Sequence, residues 1–303
     1  MRITTVLEGY WLDKRLKFSP RTVANYTHFF NRFIKFLGDV EFEAITSNDV
    51  RKFLHYLGES GLSQRSVHDY LIPLSSLWTW ANKELGTPHI IRGKIAEPDY
   101  TEKVIEPFTA DELRQLVEAS EFIEYQVKGK FIKRDRPNGE MLKAMLLTFV
   151  DTGLRVSELC ALTVGDYDAK RGRLHVKAGK GNKSRFVVMG SRTRKTIWKY
   201  LTSRPGAKSK EPLFATKTGS HLDRNNVRHM LDAIAKQANV NDVYPHRFRH
   251  TFAINFLRNG GNVLLLKELL GHESLEMVTI YVHLAEQDID QGQAHSPVDN
   301  WRI

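Results

Sequence analysis

Hydrophobic residues recur three and four positions apart through the first ninety residues, which is the spacing of helices that bury one face. Ser19 and the proline after it predict the start of a helix, and Gly38 predicts where that helix ends. Residues 46–49 predict the start of a second helix, and residues 63–84 predict a third helix and a fourth. We therefore expect residues 1–90 to form a helical domain whose aromatic stripe builds the core.

The pattern changes at the end of this domain. Residues 91–107 contain several glycines and prolines and show no clear apolar period, so we predict a linker there. Thr109, followed by an acidic first turn, predicts the first helix of a second domain that covers residues 108–290. Helices are expected to continue to residue 285 or so. Residues 291–303 lack a helical period and are predicted to form an extended tail.

Two segments interrupt the helices of the second domain. Residues 173–177 and 185–189 flank a turn with two glycines, which is the signature of a β-hairpin. Residues 121–140 break the helical pattern with a basic cluster, which is either an exposed loop or a β-excursion, and either touches DNA or is merely solvated. The basic residues of this cluster are Lys128, Lys130, Lys133, Arg134 and Arg136. The predicted fold class is therefore mainly α (α+β), with a helical N-terminal domain and a mostly helical second domain that holds a small antiparallel sheet.

Composition narrows the range of partners. The chain has 303 residues, a net charge of +10 and 41% hydrophobic residues, which suits a globular protein that binds a polyanion. Nucleic acid is the first candidate and an anionic membrane the second, although no basic amphipathic helix stands out and no apolar run is long enough to span a bilayer. No signal peptide is recognisable, and a single cysteine, Cys160, excludes an internal disulfide and a zinc site with several cysteines. We expect a cytoplasmic protein.

Six residues of the second domain have side chains that can cleave a phosphodiester without a metal or another cofactor. Two guanidiniums can hold the non-bridging oxygens of a phosphate, and a tyrosine hydroxyl can attack phosphorus and remain attached to it. An imidazole can act as the base for that hydroxyl, and a lysine on a hairpin can protonate the leaving oxygen. In chain order these residues are Arg155, Lys180, His246, Arg249, His272 and Tyr281.

The order and spacing of these residues closely resemble those of the tyrosine recombinases, also called phage-type integrases, and most of all the compact Xer-type members. The matching strings are TGLRVSEL, GKGNK, PHRFRHTFA and LLGHESLEMVTIYVH, and the resemblance spans nearly the whole chain. It implies a site-specific recombinase that binds double-stranded DNA at core sites as a tetramer on two duplexes. The reaction would pass through a 3′-phosphotyrosyl linkage and a Holliday junction.

The resemblance also implies a role for each residue. Arg155 and Arg249 would form the phosphate clamp, and Tyr281 would be the nucleophile. Lys180 would be the general acid and His246 the base near the nucleophile, while His272 would contact the phosphate. Glu158 matches the acidic residue that supports the site in this family, and the residues after His283 would pack on a neighbouring subunit.

Several alternatives stay open at this stage. Lys183 is a competitor of Lys180, Arg247 is either a DNA-facing or a surface charge, and His250 is either packed or supports the site. A nicking-closing enzyme similar to the type IB topoisomerases shares this chemistry, and a catalytically silent DNA-binding protein is a further rival. The DNA target, the choice between integration, excision and dimer resolution, and the need for a second kind of subunit are not determined.

Overall fold

The computed structural model describes residues 1–99, 105–127, 129–177 and 184–271, together with residues 274, 275, 278, 279, 281, 282 and 284. The chain divides into two compact units, Met1–Lys103 and Val104–Ile303. Within the described residues, no helix has both the length and the apolar character needed to cross a membrane.

The first unit is helical. Its helices are α1 (Ile3–Lys14), α2 (Pro20–Leu37), α3 (Ser47–Glu59) and α4 (Gln64–Leu85), with a short 3-10 helix at Phe42–Ala44. The predicted N-caps are confirmed, since the Ser19 hydroxyl accepts from the amide of Thr22, and Thr46 and Asp49 form a reciprocal capping box. Gly38 ends α2 at a φ of 81°, as predicted.

Two predictions about these helices need correction. The sequence placed two helices in residues 63–84, but a single helix, α4, continues through Pro73. A proline inside a helix removes one backbone hydrogen bond, and here the buried face of the helix compensates for that loss. The helix at residues 3–14 was not predicted separately, although Ile3, Leu7 and Tyr10 are spaced as one buried face of α1.

Aromatic rings form the core of the first unit, as the stripe predicted. Phe33 and Phe53 meet edge to face with their ring centroids 5.0 Å apart, and Phe42 stacks on Trp78 at 4.7 Å. All four rings are essentially inaccessible to water. Such rings each remove a large apolar area from solvent, so this core accounts for much of the stability of the unit.

Both ends of the predicted linker, residues 91–107, are anchored. Ile91 is buried against the first unit, and the side chains of Ser47 and Arg51 donate to backbone carbonyls of residues 90 and 94. At the other end, the amide of Phe108 donates to the hydroxyl of Thr251 at 2.8 Å within the second unit. The stretch that belongs to neither core is therefore shorter than the composition suggested.

The second unit combines seven helices of the described chain with two small antiparallel sheets. The helices are α5 (Ala110–Glu121), α6 (Gly139–Thr152), α7 (Val156–Ala161), α8 (Ser191–Thr202), α9 (Arg224–Ala238), α10 (Pro245–Arg258) and α11 (Val263–Leu270). The strands are β1 (Phe122–Val127), β2 (Lys130–Asp135), β3 (Tyr167–Asp168), β4 (Arg173–Val176) and β5 (Arg185–Val188). The first two strands form one sheet, and the order of the other is β3-β4-β5.

Both interruptions of the helical pattern are β-structure. The hairpin prediction is confirmed by the pairing of β4 with β5, in which Leu174 lies opposite Val187 on the buried face. The basic segment 121–140 contains the hairpin β1–β2, which confirms the alternative of a β-excursion. The helical run predicted to residue 285 is wrong at residues 203–223, where turns and two isolated bridges connect α8 to α9.

Candidate active site

Helix α10 carries two of the candidate residues at its start. Tyr244 is its N-cap in an extended conformation and Pro245 is its first residue, so His246 falls in the first turn and Arg249 one turn later. The side chain of His246 is exposed, whereas Arg249 is only 3% exposed. The helix therefore presents an accessible imidazole above a buried guanidinium.

The C-terminal end of α11 collects three arginines. The last carbonyls of a helix have no partner within the helix and carry partial negative charge, so they attract cations. Three consecutive carbonyls accept here: Leu269 O from Arg185 Nε at 2.6 Å, Leu270 O from Arg249 Nη2 at 2.7 Å, and Gly271 O from Arg155 Nη2 at 3.1 Å. One helix end thus brings together side chains that are far apart in the sequence.

Two glycines make this approach possible. Gly153 ends α6 at a φ of 60°, and its carbonyl accepts from Arg249 Nη1 at 2.8 Å. A Cβ at Gly153 would lie 2.5 Å from a ring carbon of Phe252. Gly271 ends α11 at a φ of 63°, and a Cβ there would lie 2.9 Å from Nη1 of Arg185. The predicted C-cap at Gly271 is confirmed, and it also has to leave room for an arginine.

Glu158 lies between two of the arginines. Its carboxylate accepts Arg155 Nη1 at 3.2 Å, and it accepts both terminal nitrogens of Arg185 at 2.9 Å each. It also caps α7, because Oε2 accepts the backbone amide of Arg155 at 2.8 Å. Burial alone would raise the pKa of Glu158, but the hydrogen bonds and charge of Arg185, with those of Arg155, lower it overall. The carboxylate is therefore ionised at neutral pH.

The three arginines differ in their exposure to solvent. Arg249 is enclosed, and burial followed by the charge of Arg155 lowers the pKa of its guanidinium to about 10. It still carries its proton at neutral pH. The side chain of Arg155 is 29% exposed, compared with 11% for that of Arg185. Of these three guanidiniums, that of Arg155 is the most accessible to an incoming anion.

Tyr281 lies among apolar side chains close to this cluster. It is 5% exposed and packs in a small core with Leu266, Leu270 and Val278. Burial raises the pKa of its hydroxyl, while the positive charges of Arg249 and Arg155 act in the opposite direction. A phenol with a raised pKa needs a base or a stronger positive field before it can act as a nucleophile.

Two imidazoles belong to the same neighbourhood, and both are neutral at pH 7. Desolvation, and then the charges of Arg249 and Arg155, lower the pKa of His246. Desolvation, followed by His246 and Arg249, lowers the pKa of His250 to about 4. The ring of His250 meets that of Tyr281 edge to face, with the centroids 5.0 Å apart. Of these two imidazoles, that of His250 contacts the tyrosine ring, and the sequence had left His250 as either packed or supporting.

Several predicted residues lie outside the described part of the chain. These residues are Lys180, its competitor Lys183, His272 and Lys128. Strands β4 and β5 lead into and out of the segment that holds the two lysines of the hairpin turn. Gly271, at the end of α11, directly precedes His272 in the sequence. Their assigned roles stay predictions.

Arg247 does not fit the prediction of a DNA-facing or surface charge. It is 8% exposed, its guanidinium lies 3.9 Å from the centroid of the Phe108 ring, and its Nη2 donates to both carboxylate oxygens of Glu112. Its Nε and Nη1 donate to the backbone carbonyls of residues 106 and 241. Every nitrogen of this side chain is occupied within the protein, so Arg247 fastens α5 and the start of the unit to α10.

The basic residues of the β1–β2 hairpin fall into two groups. Arg136 is partly buried and donates to the carbonyl of Ala119 and to the side chain of Gln237, so the prediction that it contacts DNA does not fit its packing. Lys130, Lys133 and Arg134 are exposed. Lys133 is engaged by Glu118 at 2.6 Å, and Arg134 lies over the ring of Tyr125.

Sequence reasoning missed Arg185. The only signal is its position as the first residue of a strand that leaves a glycine-rich turn, and a strand-end arginine is ordinarily a surface charge. Cys160, by contrast, is buried in α7 as predicted, and burial raises the pKa of its thiol to about 11. This thiol is therefore protonated at neutral pH and is a poor nucleophile.

Comparison with known proteins gives consistent results. The family model "Phage integrase family" matches residues 106–288, and the model "Phage integrase, N-terminal SAM-like domain" matches residues 7–84. Tyrosine recombinase XerC of Bacillus subtilis (strain 168) is 29% identical over 287 residues, which cover 91% of this chain and 90% of XerC. XerC of Thermodesulfovibrio yellowstonii is 32% identical over 276 residues, which cover 88% and 86% of the two chains.

Solved structures show the same fold. The integrase of transposon Tn1549, in complex with transposon right end DNA, superimposes with a TM-score of 0.79 at 17% identity and covers 97% of this chain and 100% of its own. The XerH recombinase bound to a palindromic difH substrate gives 0.72 at 23% identity and covers 89% and 78%. The resemblance seen in the sequence is confirmed: the chain belongs to the phage integrase family, the tyrosine recombinases.

Proposed function

We propose that this protein is a site-specific DNA recombinase that cleaves and rejoins DNA strands through a 3′-phosphotyrosyl intermediate. The observation that carries the proposal is the arginine cluster at the end of α11. Arg155 and Arg249 donate to consecutive carbonyls there, and both lie close enough to Tyr281 for their charges to act on its pKa. A tyrosine hydroxyl beside two fixed cations suits attack on a phosphate.

Arg155 is the residue that first meets the phosphate. Part of its guanidinium is open to solvent, and its Glu158 and Gly271 contacts hold it in place. Arg249 is buried, so it supplies a positive charge from beneath with little water to screen it. Negative charge grows on the non-bridging oxygens as the nucleophile attacks, and a preformed cationic pocket stabilises that state more than the ground state.

The covalent step exchanges one phosphodiester for another. The hydroxyl oxygen of Tyr281 bonds to phosphorus, and the bond from phosphorus to the 5′-oxygen breaks. His246, whose lowered pKa keeps it neutral, accepts the tyrosine proton. Lys180 protonates the leaving 5′-oxygen, and His272 donates to the phosphate. Rejoining is the reverse, with a 5′-hydroxyl attacking the phosphotyrosine, so no external energy source is needed.

The contact between His250 and Tyr281 gives the second histidine a supporting role. Its ring lies edge-on to the phenol ring, and its Nδ1 is buried without a hydrogen-bond partner among the described residues. A neutral ring in this position restricts the rotation of the tyrosine side chain. His246, which is exposed at the start of the same helix, remains the base in this proposal.

The proposed assembly is a homo- or hetero-tetramer on two double-stranded DNA duplexes, in which strand exchange passes through a Holliday junction. The structural relatives include XerH bound to difH DNA and a lambda integrase dimer bound to a COC′ core site. We assign residues 1–90 to core-site binding, residues 108–290 to catalysis and residues 291–303 to a subunit contact. The protein acts in the cytoplasm, and the exposed residues of the β1–β2 hairpin contribute to DNA binding.

The test is covalent trapping on a nicked suicide duplex that carries a candidate site from beside the gene. We expect a denaturation-resistant protein–DNA band that forms in the presence of a chelator and is lost in Tyr281→Phe. Tyr167→Phe is the matched control, because the Tyr167 hydroxyl, on β3, donates to the carbonyl of Arg194 in α8. The control should give the wild-type band.

Each failure has its own meaning. A band that persists in Tyr281→Phe would overturn the nucleophile assignment. DNA binding without any band across a randomised library of sites would replace the recombinase by a silent DNA-binding protein. Relaxation of supercoils without exchange between two synthetic duplexes would indicate a nicking-closing enzyme.

A further inference from the structure

Arg185 is the cluster residue for which the proposed chemistry has no direct use. Its three donor nitrogens are all occupied: Nε donates to Leu269 O at 2.6 Å, and the two terminal nitrogens donate to Glu158 at 2.9 Å each. Its side chain is 11% exposed. A guanidinium held in this way does not face an incoming phosphate, so its effect on the reaction has to pass through its partners.

The partner that matters is Glu158, which Arg155 shares. The contact from Arg185 is bidentate at 2.9 Å, whereas Arg155 reaches the carboxylate with one nitrogen at 3.2 Å. Paired nitrogens on two carboxylate oxygens are the stronger arrangement. The carboxylate is therefore bound mainly by Arg185 and only weakly by Arg155.

Without Arg185, the charges would balance differently. Arg155, Arg185 and Arg249 together with Glu158 leave a net excess of two positive charges. Removal of Arg185 leaves one, and it also leaves Glu158, whose side chain is 13% exposed, with Arg155 as its only guanidinium partner among the described residues. A carboxylate that cannot be solvated takes the nearest cation. It would then compete with the DNA phosphate for Arg155.

We propose that Arg185 is a positioning residue that occupies the Glu158 carboxylate and thereby leaves the guanidinium of Arg155 available to the scissile phosphate. This inference rests on the proposed function. Gly271 belongs to the same arrangement, because a side chain there would collide with Nη1 of Arg185. Arg185 is also the first residue of β5, so the anchored end of this strand lies beside the clamp.

The test compares single-turnover cleavage of the suicide duplex by four proteins. The wild type is compared with Arg185→Met, Glu158→Gln and the double variant. Arg185→Met should cleave about 10- to 100-fold more slowly, since Arg155 must break a hydrogen bond to the ionised Glu158 before it can bind the phosphate. The double variant should recover about tenfold of that loss, because an amide does not hold Arg155 as an ionised carboxylate does. A role in packing alone predicts a double variant no faster than Arg185→Met.

The pH profile separates charge from packing. In Arg185→Met, the pKa of Glu158 should rise, because burial remains and the main countercharge is gone. Protonation of Glu158 then releases Arg155, so the deficit relative to wild type should shrink as the pH falls. The double variant, which has no carboxylate at this position, should show no such recovery. A deficit that does not change with pH in Arg185→Met would contradict the proposal.

The controls keep the outcomes apart. Arg173 lies on the neighbouring strand, β4, and its Nε pairs with Asp168 at 3.4 Å. The Arg173→Met variant should therefore cleave at the wild-type rate. If Arg185→Met does not fold, Arg185→Lys keeps the charge and should cleave within about tenfold of wild type. A folded Arg185→Lys that cleaves more than about 100-fold more slowly than wild type would overturn the proposal. If the wild type itself forms no Tyr281-dependent band, the proposed function has failed instead.

Discussion

The two units of the chain bury different kinds of side chain. In the first unit, rings such as those of Phe33, Phe53 and Trp78 fill the centre. Among the described residues, every buried side chain of a serine, a threonine or a charged residue lies in the second unit, and two of these are Arg247 and Arg249. The first core is apolar, and the second contains charge.

This difference follows from what each kind of burial does to the free energy of folding. An apolar ring stabilises in proportion to the area removed from water, wherever it packs well. A buried guanidinium costs free energy unless its nitrogens are satisfied, and so it needs fixed acceptors on every side. The carbonyls of Gly153 and Leu270 meet that need for Arg249. Buried charge therefore has two uses in this unit, since Arg247 fastens α5 to α10 and Arg249 belongs to the candidate active site.

The largest effect is expected from the apolar core. Phe33→Ala should lower the free energy of unfolding of the protein by about 3–5 kcal/mol, because the ring is fully buried between other rings and its loss leaves a cavity. Urea denaturation measures the change. Below the transition, the rate of cleavage per folded molecule should stay near that of wild type. A specific loss of cleavage chemistry would mean that the first core is not purely structural.

The next largest effect is expected when an arginine of the charged cluster is replaced, and Arg249 can be compared with Arg247, which is also buried. Arg249→Met should lower the rate of cleavage by about 10²- to 10³-fold, as the loss of one preorganised donor does in other enzymes. Its stability should change by less than about 2 kcal/mol, since a methionine removes the cost of a buried charge.

Arg247→Met is the control, two residues earlier on the same helix. It leaves Glu112 without its guanidinium partner and should lower the free energy of unfolding by about 1–3 kcal/mol while cleavage continues. Single-turnover rates and urea midpoints on both proteins decide the matter. Equal catalytic losses would show that buried charge in this unit acts through stability.

A smaller effect is expected at the helix ends. Gly271→Ala should cost about 1–2 kcal/mol of stability, because φ is 63° there, and the new Cβ should also displace Arg185 and slow cleavage. Gly86→Ala is the control in the first unit, where this glycine ends α4 at a φ of 67° and no atom lies within 4 Å of the added Cβ. It should lose stability only. Thermal unfolding and cleavage rates should thus separate two glycines with similar backbone strain.

Local signals in the sequence predicted the local structure well. Capping residues such as Thr46 and Thr109 marked helix starts, and the glycine-rich turn marked the β4–β5 hairpin. The division of residues 63–84 into two helices was wrong because the packing that keeps α4 continuous through Pro73 involves residues distant in sequence. Such packing has no short-range signature.

The same limit applies to the candidate site, where local signals in the sequence do not predict the packing between distant residues. The resemblance to a family indicated Arg155, Arg249 and Tyr281, and the structure places the two arginines at one helix end close to the tyrosine. Nothing local distinguished the buried Arg247 from its exposed neighbour His246, or indicated that Arg185 would meet Glu158. These outcomes depend on which elements converge at α11, and that is a property of the tertiary fold.

The smallest effect is expected on the β1–β2 hairpin, where charge is exposed and neither core is involved. Lys130→Ala and Lys133→Ala should each change the free energy of unfolding by less than about 0.5 kcal/mol, since surface pairs contribute little. Their effects on DNA binding should differ. Lys133 is held by Glu118, whereas no ion pair joins Lys130 to any carboxylate in the described chain.

If the hairpin contacts the DNA backbone, loss of Lys130 should lower the slope of log affinity against log salt by about 0.9, the value for one phosphate contact. Loss of Lys133 should lower it less, because that lysine has to leave Glu118 before it can reach a phosphate. Fluorescence anisotropy at several salt concentrations gives both slopes. Unchanged slopes in both variants would make the hairpin a solvated insertion.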